Sequence, residues 1–397
     1  MDRLRNAVRP YAWGSVTAIP ALLGQAPSGE PQAELWMGAH PGDSSEVDRG
    51  AGARPLSEVI AADPEGELGA ASVAKFGPTL PFLLKVLAAG APLSLQAHPT
   101  LDQARAGFAD EEARGIPLDA PHRNYRDANH KPELICALDD FEGLCGFRSP
   151  AATADLMASL GAPALEPLID ILRGKPESEA LREVLATVLS MTGAEAEHTV
   201  AQVAEAIEAA APGDSGGTLA GYAYAAREFP GDTGLLAALL LNHVVLRPGE
   251  ALYLGAGVPH AYLRGTGVEI MANSDNVLRC GLTPKHVDVP ELLRVVEFGA
   301  TDPDVLRPEP DAHGERLYPV PIDEFRISRY VLGTRSAPLT GDAPQILLCT
   351  DGTAELTAAD GTALTLTRGQ SAFLPATGTT TVLHGPGATV FRATVTL

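Results

Sequence analysis

The run "PGEALYLGAGVPHAYLRG", residues 248–265, sets short apolar segments between glycine and proline turns. Gly249 and Gly257 stand where a chain reverses between strands, and His260 follows Pro259 at the head of the next segment. This is strand-and-turn grammar, with a histidine placed just past a turn.

Outward from that stretch, two β-rich regions flank a helical one. Before about residue 150, runs such as "PFLLKVL" and "PLSLQAHP" are divided by Gly, Pro and Asp. The grammar changes at "SPAATADLMASL", where Ser149 can cap a helix and Pro150 can open it, and Ala, Leu and Glu dominate to about Leu241. Leu181, Val184, Leu185, Val188 and Leu189 fall at i, i+3, i+4, i+7 and i+8, one face of a helix. From about 301 the β grammar returns, as in "QILLCTDGTAELTAADGTALTLT", after a proline-bearing stretch, "TDPDVLRPEPDAHGERLYPVP", that reads as a linker. The expected organisation is mainly β with an α-helical insertion: a first β domain over 1–150 and 242–300, helices over 151–241, and a second β domain over 301–397.

With 29 basic against 50 acidic residues, the net charge of −21 repels phosphate polymers and anionic lipid headgroups. Neither nucleic acid nor a membrane is expected as a partner, and an anionic small molecule must be met by a few local cations. Cys136, Cys145, Cys280 and Cys349 form no C-x-x-C pair, which argues against a disulfide framework or a thiolate metal site. The opening "MDRLRNAVRPYAWGS" lacks the apolar core of a signal peptide, and "GLLAALLLNHVVL" is too short to span a bilayer. A cytoplasmic protein, working as a monomer, is the expectation.

In "PLSLQAHP", strand alternation sends Ser94, Gln96 and His98 to one face and Leu93, Leu95 and Ala97 to the other. In "YRDANHKPE", residues 125–133, Pro132 favours extension, which puts Lys131 and Glu133 on a shared side. The 248–265 run supplies His260 and fits the second motif of the cupin superfamily through Gly249, Gly257 and His260, departing from it at Gly255 and Arg264. A jelly-roll barrel accounts for that spacing, with His260 pointing into the barrel mouth. Two imidazoles, a carboxylate and an amide oxygen suit Zn²⁺, while spacing alone leaves non-haem iron open.

Taken together, "YAWGS" (11–15), "AELWMGAHP" (33–41), "PFLLKVLAAGAPLSLQAHP" (81–99), "YRDANHKPE", "LCGFRSP" (144–150), the 248–265 run and "GVEIMANSDNVLRCGLTPKH" (267–286) make a chain that resembles the type I mannose-6-phosphate isomerases, zinc enzymes of the cupin superfamily. The resemblance implies one Zn²⁺ per chain, held by Gln96, His98, Glu133 and His260, and a catalytic arginine at Arg279. It implies a phosphosugar substrate and the interconversion of mannose 6-phosphate and fructose 6-phosphate through a zinc-stabilised enediolate.

A carboxylate or a lysine must move the proton in such a shift, and Glu269 and Lys131 are the candidates. Lys285 and Ser94 are expected at the phosphate, with Lys85 as a further donor, and Trp13, Glu34 and Tyr262 along the pocket. In the terminal region "TRGQSAFLPATGTTTVL" keeps Gly369 and Pro375 but places Thr380 where a ligand histidine would fall, so a cupin-like scaffold without metal is expected there. Two rival readings share these residues: a non-catalytic phosphosugar-binding cupin and an iron-dependent cupin dioxygenase. Arg279 and Glu269 weigh against the first, and Gln96 as a fourth protein ligand against the second.

Overall fold

One long strand, His260–Ala272, organises the first β region in the computed structural model, which describes residues 1–214 and 216–397. Its first half pairs with Phe141–Phe147, and its second half with Phe82–Ala89 and Glu133–Ala137. The change of partners falls at Gly265, where φ is +116° and a Cβ would stand 2.7 Å from the Cα of Phe141. A side chain has no room at this corner, and the backbone lies where L-residues rarely go.

Two sheets therefore share that strand. In the first, the order is Val305–Leu306, Ala251–Leu254, Glu133–Ala137, His260–Ala272, Phe82–Ala89, Glu34–His40 and Ala7–Arg9. In the second, Leu241–Leu246 lies beside Phe141–Phe147, and the start of the long strand leads on to Leu95–Ala97 and Leu278–Gly281. Leu87, Ala89, Ile135 and Ala137 from the first sheet meet Phe141, Val244, Leu246 and Tyr262 from the second in one buried cluster, so the sheets enclose a common interior.

Period-2 alternation sorts the remaining layers. Strand Phe82–Ala89 is buried along its whole length, as expected of a strand covered on both faces. Leu84 and Val86 point away from the interior and join Ile346, Leu348, Phe373 and Phe391 of the terminal domain in a second core, while Lys85 and Leu87 point inward. Each fully buried aliphatic or aromatic side chain contributes roughly 1.5–3 kcal/mol. The terminal domain is thus fixed to the back of the first sheet by apolar contact.

That domain is itself two sheets over a core of their own. The six-stranded sheet is completed by the chain's own start, since Asp2–Arg3 pairs with Ser371–Leu374. The stretch expected to be a linker is structured differently: Val305–Leu306 adds to the first sheet and Glu315–Tyr318 pairs with Arg326–Val331. Its prolines sit outside both short strands, so they do not interrupt the ladders.

Helices Pro150–Ser159, Glu166–Gly174, Glu177–Ser190, Gly193–Ala210, Thr218–Glu228 and Gly234–Ala238 separate the two β stretches. The first begins with Pro150, and the Ser149 hydroxyl accepts the N–H of Ala152, satisfying one of the free donors at a helix start. Leu181, Val184, Leu185 and Val188 are buried and share a core with Leu95, Ala97, Leu278 and Cys280 on the outer face of the second sheet. The helices cover that face and leave its inner face to the interior.

Candidate metal centre and active site

Cross-strand register assembles the site. His260 stands opposite Gln96, and Gln96 stands opposite Arg279. From the facing sheet comes Glu133, at the start of its strand and opposite Met271. His98, Glu133 and His260 bring one ligand atom each within 4.8 Å of one another, and all three are buried.

Hydrogen bonds outside the cluster orient both rings. His98 Nδ1 donates to the carbonyl of Asn276 at 2.7 Å, and His260 Nδ1 donates to that of Val258 at 2.9 Å. Each Nε2 is thereby left as a lone pair facing Glu133 Oε2, at 3.4 Å in both cases. His98 Nε2 and Glu133 Oε2 have no hydrogen-bond partner although they are buried. Three acceptors turned toward one point, two of them without any donor, would be costly if nothing joined them, and a divalent cation is the group that fits.

Charge balance supports that fit. Burial opposes ionisation of Glu133, but the Lys131 ammonium outweighs it and holds the carboxyl well below its ordinary value. Burial pushes the His98 imidazolium down to about 4, so the ring is neutral, as a metal ligand must be. The Gln96 side chain lies beside them, with its amide nitrogen 3.4 Å from His260 Nε2. Rotating the amide by half a turn exchanges nitrogen for oxygen without moving the chain.

The other expected residues divide into three groups. Lys131 is at the centre, its ammonium 2.8 Å from Glu133 Oε1 and thus on the opposite carboxylate oxygen from the imidazoles. Arg279 and Lys285 lie close enough to Arg126 for the three cations to interact. Burial first and then neighbouring cations lower the proton affinity of Arg279 and Lys285, and no carboxylate offsets this. Ser94 is half-buried immediately before strand Leu95–Ala97.

The third group departs from the expected roles. Lys85 does not reach out as a phosphate donor: its ammonium is buried between Glu34 Oε1 at 3.3 Å and Glu269 Oε2 at 3.1 Å. Trp36 Nε1 donates to Glu34 at 2.7 Å and the Tyr262 hydroxyl donates to Glu269 at 3.0 Å, which closes the network at both ends. Glu34 and Tyr262 are therefore members of a fully hydrogen-bonded wall. Burial raises the Glu269 carboxyl above its ordinary value even though Lys85 opposes the shift. Trp13 is half-buried and stacks on Tyr11, and its carbonyl accepts the N–H groups of Gly90 and Ala91 ahead of Ser94.

Sequence reasoning passed over Trp36, Arg126 and Asn276. Trp36 shares a strand face with Glu34, so alternation was a usable signal. Asn276 is fully buried and holds the 126–129 loop, accepting from the N–H groups of Arg126 and Asp127 and donating to the carbonyls of Asp127 and Asn129. Only folding brings that loop against residues about 150 positions later.

Residues 1–150 match the family described as "Phosphomannose isomerase type I, catalytic domain". Mannose-6-phosphate isomerase of Escherichia coli (strain K12) is 42% identical over 390 residues, 98% of this chain and 98% of that one. The chain belongs to the mannose-6-phosphate isomerase family. Within that family the human protein is 35% identical over 382 residues, covering 88% of this chain and 87% of its own. The crystal structure of mannose 6-phosphate isomerase from Salmonella typhimurium bound to fructose 6-phosphate and zinc superposes with a TM-score of 0.91 at 39% identity, covering 100% of both chains. The family likeness thus extends through the helices and the terminal domain, well beyond the 150 residues of the catalytic match.

Proposed function

We infer that this chain interconverts mannose 6-phosphate and fructose 6-phosphate, with Zn²⁺ held by His98, Glu133, His260 and Gln96. The carrying observation is the buried cluster of His98, Glu133 and His260, in which His98 Nε2 and Glu133 Oε2 have no hydrogen-bond partner, in a chain aligned nearly end to end with isomerases of that name. When bound, the ion supplies an electrophile that favours negative charge on the substrate oxygens beside the reacting carbons.

The chain's own residues account for the rest of the proton shift between C2 and C1. Both Glu269 oxygens are engaged, one by Lys85 and one by Tyr262, whereas Lys131 stands at the metal cluster itself. Lys131 is accordingly the group assigned to carrying the proton, accepting it from one carbon as the free amine and returning it to the neighbouring carbon as the ammonium, and Glu269 the group that braces the wall behind it. Arg279, on the same face as Gln96 and His260, is placed to offset charge developing on the sugar. Lys285 and Arg126, with the Ser94 hydroxyl, offer the phosphate its cations in an otherwise acidic protein.

The test is conversion of mannose 6-phosphate to fructose 6-phosphate by purified protein before and after chelation, with metal content measured alongside. Activity is expected to fall on chelation and return with zinc. Undiminished turnover by metal-free protein would refute the reading, and metal retention without any turnover would point to a phosphosugar binder. Arg279→Ala is expected to keep its zinc and lose about 10²–10³-fold in kcat. Loss of metal from that variant would reassign Arg279 to holding the site together.

A further inference from the structure

We propose that Glu324, in the terminal domain, is a positioning residue for the isomerase site, acting through His130 on the loop that delivers Lys131 and Glu133. His130 Nε2 donates to Glu324 Oε1 at 2.7 Å, and both side chains are mostly shielded from solvent. That hydrogen bond does most to hold the Glu324 carboxyl below its ordinary value, as a charge-assisted contact does.

The loop has two kinds of anchor. Over residues 126–132 its other polar ties run within itself, to Glu133 or to residues 272–276: Lys131 pairs with Glu133, Asn129 Nδ2 donates to the Asn273 carbonyl, the Ser274 hydroxyl donates to Asp127, and Ala272 N–H donates to the Pro132 carbonyl. Among the described residues, Glu324 supplies the loop's one side-chain hydrogen bond from the terminal domain. It acts one residue before Lys131 and three before Glu133.

Glu324 is offered from a rigid support. Phe325 beside it is fully buried in the core shared by the two domains. On its other side the Asp323 carbonyl accepts the N–H of Thr396 at 3.0 Å, and the Asp323 carboxylate pairs with Lys75 at 2.9 Å. A side chain held between two such fixed neighbours can set the position of the group it bonds. The terminal domain, whose own interior takes no part in the site, thereby acquires a role in the reaction.

The inference rests on the isomerase reading, and the experiment separates the two. Unaltered protein, Glu324→Gln, Glu324→Asp, His130→Gln and the double variant are compared for kcat, KM and zinc per chain. Glu324→Gln is expected to lower kcat roughly threefold to thirtyfold, the range of coupling carried by contacts remote from the ligand. KM and zinc content should stay as in the unaltered protein, Glu324→Asp should recover part of the loss, and Glu324→Gln should add nothing in the His130→Gln background. Unchanged kcat in Glu324→Gln, or equal additional loss in the double variant, would overturn the proposal. Inactivity of the unaltered protein would instead sink the isomerase reading.

Discussion

Glu133→Ala is expected to yield protein that retains no zinc through gel filtration and has lost more than about a hundredfold in kcat/KM, since even partners one step removed from metal ligands commonly cost 10–100-fold. The reason is the division of labour on its carboxylate. Oε2 faces both imidazoles, and Oε1 neutralises the buried Lys131 ammonium. Removing the side chain takes away the anionic ligand and leaves two neutral rings beside a cation, an arrangement that repels a divalent ion. Zinc remaining at one ion per chain, measured by atomic emission, would move the metal site away from Glu133.

Lys85→Met is expected to cost about 3–5 kcal/mol of unfolding free energy at neutral pH, because it leaves two buried carboxylates without the cation between them. Methionine matches the length of the lysine stem, so the loss reads charge rather than cavity. The deficit should depend on pH in a defined direction. Burial already holds Glu269 above its ordinary value of 4.5 with Lys85 in place, and removing the ammonium raises it further. A carboxyl whose folded pKa exceeds its unfolded one costs stability as pH climbs past the unfolded value, and the cost grows until the folded pKa is reached. Urea unfolding should therefore show a smaller deficit near about pH 5 than near about pH 8. A difference under about 1 kcal/mol at both pH values would mean that the triad is not the charge-balanced unit described here.

Local physics made part of the site legible in advance. Alternation put Gln96 and His98 on one face with Leu95 and Ala97 on the other, and those two apolar residues do pack against the helices. Pro132 and extension set Lys131 beside Glu133, now seen at 2.8 Å. Ser149 and Pro150 announced a helix start that the backbone adopts. The long resemblance along the chain then named the chemistry, and the near full-length relatives carry the same name.

Lys85 shows where such reading stops. A lysine in an apolar strand has the same one-dimensional signature whether it reaches for solvent or is sealed in. What settles its role is a pair of carboxylates 51 and 184 positions away. The supposed linker is similar: two-residue and four-residue strands have too little pattern of their own and exist because a waiting sheet edge pairs them.

Sequence alone determined the strand faces, the helix start, the shortage of cations and the donor types able to grip a metal, because each depends on neighbours within a few residues. Tertiary structure alone decided that Lys85 belongs to Glu34 and Glu269, that Asn276 aims the His98 imidazole, and that Glu324 reaches His130 from the terminal domain. Those pairings close loops of tens to hundreds of residues, and their energies depend on burial and distance, which no local pattern of residues encodes.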